Sequence, residues 1–300
     1  MTIETITNVG SKAQIIPEYG ANLVSFQVDG IEFIHWNGHP PKDDEDWSGA
    51  FNMFPTPCRL ANCSYSFEGK HITQKKHNQD VFIHGLVRDE LMQYKNNGSS
   101  IVSWLNITPG HPVYEGFPFK CMFTLTHTLD EYSLTVGFKV ENRDKCNIPF
   151  GYGLHPFWQI YGERKDISIR IPCDKFLDLD NLVPTGGSTS VKGTDYDLRT
   201  LRNINNLFVD NVYCSRQPGD TAEIHFASIQ KKLIIAASDN FRHIVVFIPH
   251  ETKYFCVENL TTCPNAPNLV NAGHGDVATM LVVAPGQTID GWIKYKIETI

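Results

Sequence analysis

From Cys121 to Val140 the chain alternates apolar and polar residues with a period of two, and that alternation constrains the fold more than any other feature. Cys121, Phe123, Leu125 and Leu129 fall on one phase, against Thr124, Thr126 and Thr128 on the other. After Asp130-Glu131 the phase restarts, with Tyr132, Leu134, Val136, Phe138 and Val140 alternating against Ser133, Thr135 and Lys139. Successive side chains of an extended chain point to opposite faces, so this is a hairpin with one buried and one wetter face. Leu233 to Ala237 and Ile244 to Ile248 are short apolar runs rich in β-branched residues, the pattern of strands covered on both sides. Met280 to Ala284, the turn Pro285-Gly286-Gln287 and Trp292 to Ile297 read as another strand pair.

No segment longer than about ten residues holds the apolar stripe of a helix. Turn signals recur instead, at Asp29-Gly30, Glu68-Gly69, Asn97-Gly98, Pro109-Gly110, Gly186-Gly187 and Pro218-Gly219. Many short strands without a linker predict an all-β sandwich or barrel, one domain over residues 1–300. With 300 residues, 41% of them hydrophobic, such a domain buries a sizeable core. Asp180 to Asp210 is poorer in strand signal and reads as a long excursion from the scaffold.

The formal net charge is -7, and no basic run gathers Lys and Arg along one face. Nucleic acid and anionic membrane surfaces are therefore not expected partners. The N-terminus has no basic start followed by an apolar core, and no apolar run is long enough to span a bilayer. A cytoplasmic location follows as the expectation, with the eight scattered cysteines as free thiols. They form no CxxC pair, so a zinc centre built from them is not expected.

Three places set a reactive group in rigid surroundings. They are Phe82-Ile83-His84-Gly85, Gly153-Leu154-His155-Pro156, and Phe255-Cys256-Val257-Glu258-Asn259, where a carboxylate ends an apolar strand. A histidine and a carboxylate make an acid and a base that burial tunes toward neutrality, suited to a reaction that gives one proton and takes another. Arg59, in Pro57-Cys58-Arg59-Leu60, adds a planar donor for hydroxyls or a carboxylate.

In sequence order, FPTPCRLANCSYSFEGK (Phe54 to Lys70), FIHGLVRDE (Phe82 to Glu90), YEGFPF (Tyr114 to Phe119), GLHPFW, LVPTGGSTSVKGTDYDLR (Leu182 to Arg199), VDNVY (Val209 to Tyr213) and VENLTTCPNAPNL (Val257 to Leu269) resemble the motifs of the aldose 1-epimerases, the galactose mutarotase-like family. The resemblance implies a β-supersandwich of antiparallel sheets with an open cleft, and interconversion of the α and β anomers of a hexose. It implies that Glu258 removes the O1 proton and that His155 protonates the ring oxygen, the two standing on opposite sides of the acetal carbon. His84, Arg59 and Asp210 match the family's sugar-binding residues, and Phe157 and Trp158 either shape the wall of the cleft or pack in the core. No cofactor and no metal are implied, and the partner is a small sugar, with the chain a monomer or homodimer. Cys58 stands where the family usually has asparagine, and Trp158-Gln159 replace the common Phe-Asn. Three alternatives stay open: a hexose-phosphate 1-epimerase, a non-catalytic carbohydrate-binding or regulatory module on the same fold, and, more weakly, a glycosidase, which would use two carboxylates rather than Glu and His.

Overall fold

The computed structural model describes residues 1–40, 46–74 and 80–300. Two large antiparallel sheets dominate, one of eleven strands and one of nine. Among the described residues the only α-helices are three short ones, Pro112–Gly116, Ala266–Asn271 and Gly275–Ala278, and no helix is long and apolar enough to cross a membrane.

The alternating segment is a hairpin of Cys121–Asp130 and Ser133–Asn142 in the nine-stranded sheet, paired from Cys121↔Asn142 to Asp130↔Ser133. Its inward phase, Phe123, Leu125, Leu134, Val136, Phe138 and Val140, joins the large core between the sheets. Tyr132 sits in the turn and is exposed. His127 occupies the inward phase too, fully buried, with neither ring nitrogen hydrogen-bonded.

Three expectations are corrected. Lys231–Ala237 alternates buried and half-buried residues, so it is covered on one side only. His243–Ile248 is buried on both sides, as its sequence suggested. Leu281–Val283 and Thr288–Thr299 do not pair with each other. The first joins Ile148–Phe150, and the second lies between Ser133–Asn142 and Lys231–Ala237. A Pro-Gly turn therefore marks a change of sheet here rather than a hairpin. The excursion after Asp180 is also partly regular, since Val183–Ser190 forms the edge strand beside Lys175–Asp180.

Five strands of the eleven-stranded sheet carry the site: β1 (Ala50–Met53), β2 (Gly153–Gln159), β3 (Val209–Cys214), β4 (His243–Ile248) and β5 (Tyr254–Leu260). They lie side by side in the order β1-β2-β5-β4-β3. One face of them, including Leu154, Trp158, Ile244, Val246, Phe255 and Val257, packs into the core between the sheets. The other face holds a second apolar cluster, with Phe51, Phe157, Val212, Val245 and Cys256. Central strands buried on both faces read as continuous apolar runs, so a polar residue among them needs a local explanation.

Candidate active site

His155 and Glu258 are that exception. Pairing of Gly153 with Leu260 and of Phe157 with Cys256 sets position 155 opposite position 258 on the neighbouring strand. His155 Nε2 lies 3.3 Å from Glu258 Oε1, with the side chains 7% and 2% exposed. The imidazole and the carboxyl thus share one hollow, in direct contact with each other rather than separated across it. Sheet register is the reason: two adjacent strands bring directly opposed side chains into contact.

Two further motifs converge through a small strand pair. Arg59–Ala61 pairs with Val81–Ile83, with Arg59 opposite Ile83, so Arg59 and His84 meet although 25 residues apart in sequence. His84 has φ of +67° and Gly85 of +72°. The His84 amide donates to the Cys58 carbonyl at 2.8 Å, and the Leu86 amide donates to the Phe54 carbonyl at 2.7 Å. This left-handed kink turns the His84 ring toward the cleft, where it lies perpendicular to the His155 ring at 5.0 Å. A Cβ on Gly85 would stand 2.6 Å from both the nitrogen and the oxygen of Phe54. Overlap with backbone adds to the left-handed strain, so Gly85→Ala is expected to cost at least about 2 kcal/mol in urea unfolding, and an unchanged midpoint would contradict this account.

One cavity of about 260 Å³ is lined by Arg59, His84, His155, Asp210 and Glu258, bringing all five expected residues together. Its wall also contains Asp46, Trp47, Cys58, Phe157 and Tyr254. At this size it falls just below the range of about 300–1,000 Å³ usual for drug-sized ligands, and it suits a single small ring. Imidazoles and aromatics pack against one another around it. The His155 ring lies 4.6 Å from Phe51 and stacks at 4.7 Å on Phe157, while Trp47 meets His84 edge-on at 4.5 Å. Of the two readings, Trp158 takes the core: it points between the sheets, edge-on to Tyr295 at 5.0 Å, while Phe157 lines the cleft. The glycines before His155 serve close packing. A Cβ on Gly153 would lie 2.3 Å from Leu260, and one on Gly151 would lie 1.9 Å from Thr262.

Burial sets the electrostatics. It pushes the Glu258 carboxyl well above the usual range, with the nearby Asp210 charge adding to the effect and Arg59 opposing it. It pulls the His155 imidazole down to about 3, helped by the positive charges of Arg88 and Arg59. His84 is held well below its ordinary value by burial, then by His155 and the two arginines. Asp210 is raised by burial, against the pull of Arg59. The contact between Glu258 and His155 is therefore best described as two groups sharing one proton, not as a fixed pair of opposite charges. Beside them, Cys58 Sγ lies 4.0 Å from Glu258 Oε2, and donor atoms of His155, Cys256 and Glu258 all lie within 4.8 Å of one another. None of the eight cysteines is joined in a disulfide.

Trp47, Phe51, Tyr254 and Asp46 were not singled out from sequence. Only Tyr254 carried a signal, since it shares the phase of Cys256 and Glu258 on one strand.

Solved structures fix the class first. The chain superposes on an aldose epimerase homologue from C. elegans with a TM-score of 0.83 at 17% identity, covering 100% of this chain and 99% of that one. A galactose mutarotase-like protein from Clostridium acetobutylicum gives 0.80 at 19% identity, again covering 100% and 99%. At these identities the likeness is one of fold, and the fold is the galactose mutarotase-like antiparallel sandwich. The sequence model of the aldose 1-epimerase family matches residues 2–296, and the chain belongs to that family. Galactose mutarotase of Sus scrofa is 27% identical over 148 residues, 47% of this chain and 42% of that protein. Aldose 1-epimerase of Escherichia coli K12 is 23% identical over 197 residues, 58% of this chain and 56% of that one. The chain thus spans about half the length of the curated relatives it matches.

Proposed function

We propose that this chain interconverts the α and β anomers of an unphosphorylated aldose by acid–base opening and reclosure of the ring. The observation that carries the reading is the buried carboxyl–imidazole contact at 3.3 Å on the floor of a monosaccharide-sized cavity. In a cyclic aldose the O1 hydroxyl and the ring oxygen are bonded to the same carbon. An acid and a base serving both oxygens must be neighbours, and these two are.

Glu258, as carboxylate, takes the O1 proton, while His155, as imidazolium, gives its proton to the ring oxygen. The C1–ring oxygen bond breaks and C1 becomes an open-chain carbonyl. Rotation about C1–C2 turns the other face toward the ring hydroxyl. Closure returns one proton from Glu258 to O1 and one from the ring hydroxyl to His155. The pair ends with the proton count it began with. Since burial disfavours both separate charges, the pair rests as neutral acid and neutral ring. Shifting its one proton from carboxyl to imidazole creates the working form. Arg59, His84 and Asp210 would hold the sugar hydroxyls, with Tyr254 and Trp47 against its apolar faces.

Asp46 and Asp210 balance Arg59 in the described lining, which favours a neutral sugar over a phosphorylated one. Polarimetry on freshly dissolved α-D-glucose and α-D-galactose tests the reading. Relaxation much faster than in buffer is expected. No acceleration with either sugar or with their 6-phosphates would leave a binding module as the better description.

A further inference from the structure

Cys256 has no part in the proton chemistry above, yet its sulfur is buried against both groups that do. We propose that the floor of this cleft is a binding site for a thiophilic divalent cation of the zinc type, held by His155, Cys256 and Glu258. Cys256 and Glu258 are two apart on β5 and so point to the same side of it, Glu258 lining the cavity and Cys256 in the apolar cluster directly beneath, and His155 reaches them from the adjacent β2. Zinc holds nitrogen and oxygen ligands at about 2.0–2.2 Å, and tetrahedral angles then set those two atoms about 3.4 Å apart. His155 Nε2 and Glu258 Oε1 already stand 3.3 Å apart. A sulfur at about 2.3 Å from the same ion lies about 3.6 Å from each partner. The Cys256 sulfur, within 4.8 Å of both, needs to move by no more than about 1.3 Å.

One nitrogen, one oxygen and one sulfur with the fourth position open to the cavity is a zinc-type donor set, and the sulfur discriminates against magnesium and calcium. Charge also balances. A divalent cation with one thiolate, one carboxylate and one neutral imidazole sums to zero, which suits a dry site. Binding displaces two protons, one from the thiol and one from the carboxyl–imidazole pair. The ion occupies the lone pairs of both groups and so blocks anomer exchange; that consequence rests on the proposed function, whereas binding does not.

Competition between the purified chain and a chromophoric chelator, without sugar, measures zinc binding directly. One zinc per chain is expected, with affinity rising toward 100-fold per pH unit while two protons are displaced. Cobalt in place of zinc should give a thiolate-to-metal charge-transfer band in the near ultraviolet. Cys256→Ser and Cys256→Val should each weaken zinc at least about 100-fold and abolish the band, since each removes a direct ligand. Cys146→Ser, which alters the one cysteine outside the buried set, should change neither. Wild-type zinc affinity in either folded Cys256 variant, or cobalt binding to the wild type without a thiolate band, overturns the site. Should both variants fail to fold, the wild-type cobalt spectrum decides alone. In the polarimetric assay, Cys256→Val should retain its rate and lose its inhibition by zinc. If no sugar is turned over at all, the binding result still stands or falls by itself.

Discussion

Glu258→Gln is expected to lose at least about 10²-fold of the anomer-exchange rate while remaining folded, because one acid–base participant usually contributes that much. Glutamine preserves the shape of the side chain and a contact with His155 Nε2, but it cannot take the O1 proton. Polarimetry gives the rate, and a thermal melt shows that the variant is folded. A near-native rate would mean that another group receives the proton. The same pair predicts a one-sided pH profile for kcat/KM. Protonation of His155 comes only near 3, so the acid limb lies far below neutrality. The alkaline limb follows the raised Glu258 carboxyl, above which the pair has lost its one proton and no acid remains. A profile that falls on both sides of neutrality would show that the burial argument is wrong.

A second large effect is expected in stability. His84, His127, His155 and His243 are all buried, and all are pulled below their ordinary value chiefly by burial, His127 and His243 to about 4. Below pH 6.5 the unfolded chain takes up protons that the native state refuses. Their contribution is therefore present above pH 6.5 and is lost as pH falls toward the folded values. Each group removes about 1.4 kcal/mol per pH unit, so His127 and His243 withdraw about 3 kcal/mol each by pH 4. Glu258 works against them. Its raised carboxyl favours the native state at low pH, and that contribution disappears as pH rises through its folded value. Net, about three protons per chain drive unfolding, a total comparable to the 5–15 kcal/mol that holds most domains together. Urea midpoints should therefore fall steeply from pH 6.5 to 4.5. Around His127 the facing residues on adjacent strands are Ile101 and Val136, with no carboxylate to hold its charged form. His127→Leu should raise the midpoint at pH 5 and lower the slope by about one proton's worth; an unchanged slope would show that this ring titrates freely.

The sheet character of the chain was legible because half-covered strands write their burial as a period of two. Pairing was less so. Leu281–Val283 and Thr288–Thr299 flank a good turn, yet they join different partners, and only the whole sheet decides that. Each chemical residue stood out locally, as a charged or titratable group closing an apolar strand. Their grouping came from register and from the small Arg59–Ala61 pair, which no spacing along the chain encodes. Phe157 and Trp158 could not both wall the cleft, since residues 157 and 158 of one strand must face opposite ways. The proposed donor set is not written along the chain for a related reason: a CxxC pair places its ligands on one turn, whereas here the histidine arrives from 101 positions upstream of Cys256.

The floor of the cleft and the roof of the main core are the same five strands, seen from their two faces. No hinge separates the chemistry from the scaffold, so the reacting groups cannot drift apart while the molecule stays whole. Heat inactivation and loss of native structure should then coincide in one transition, and distant substitutions that loosen the inter-sheet packing should lower both midpoints together.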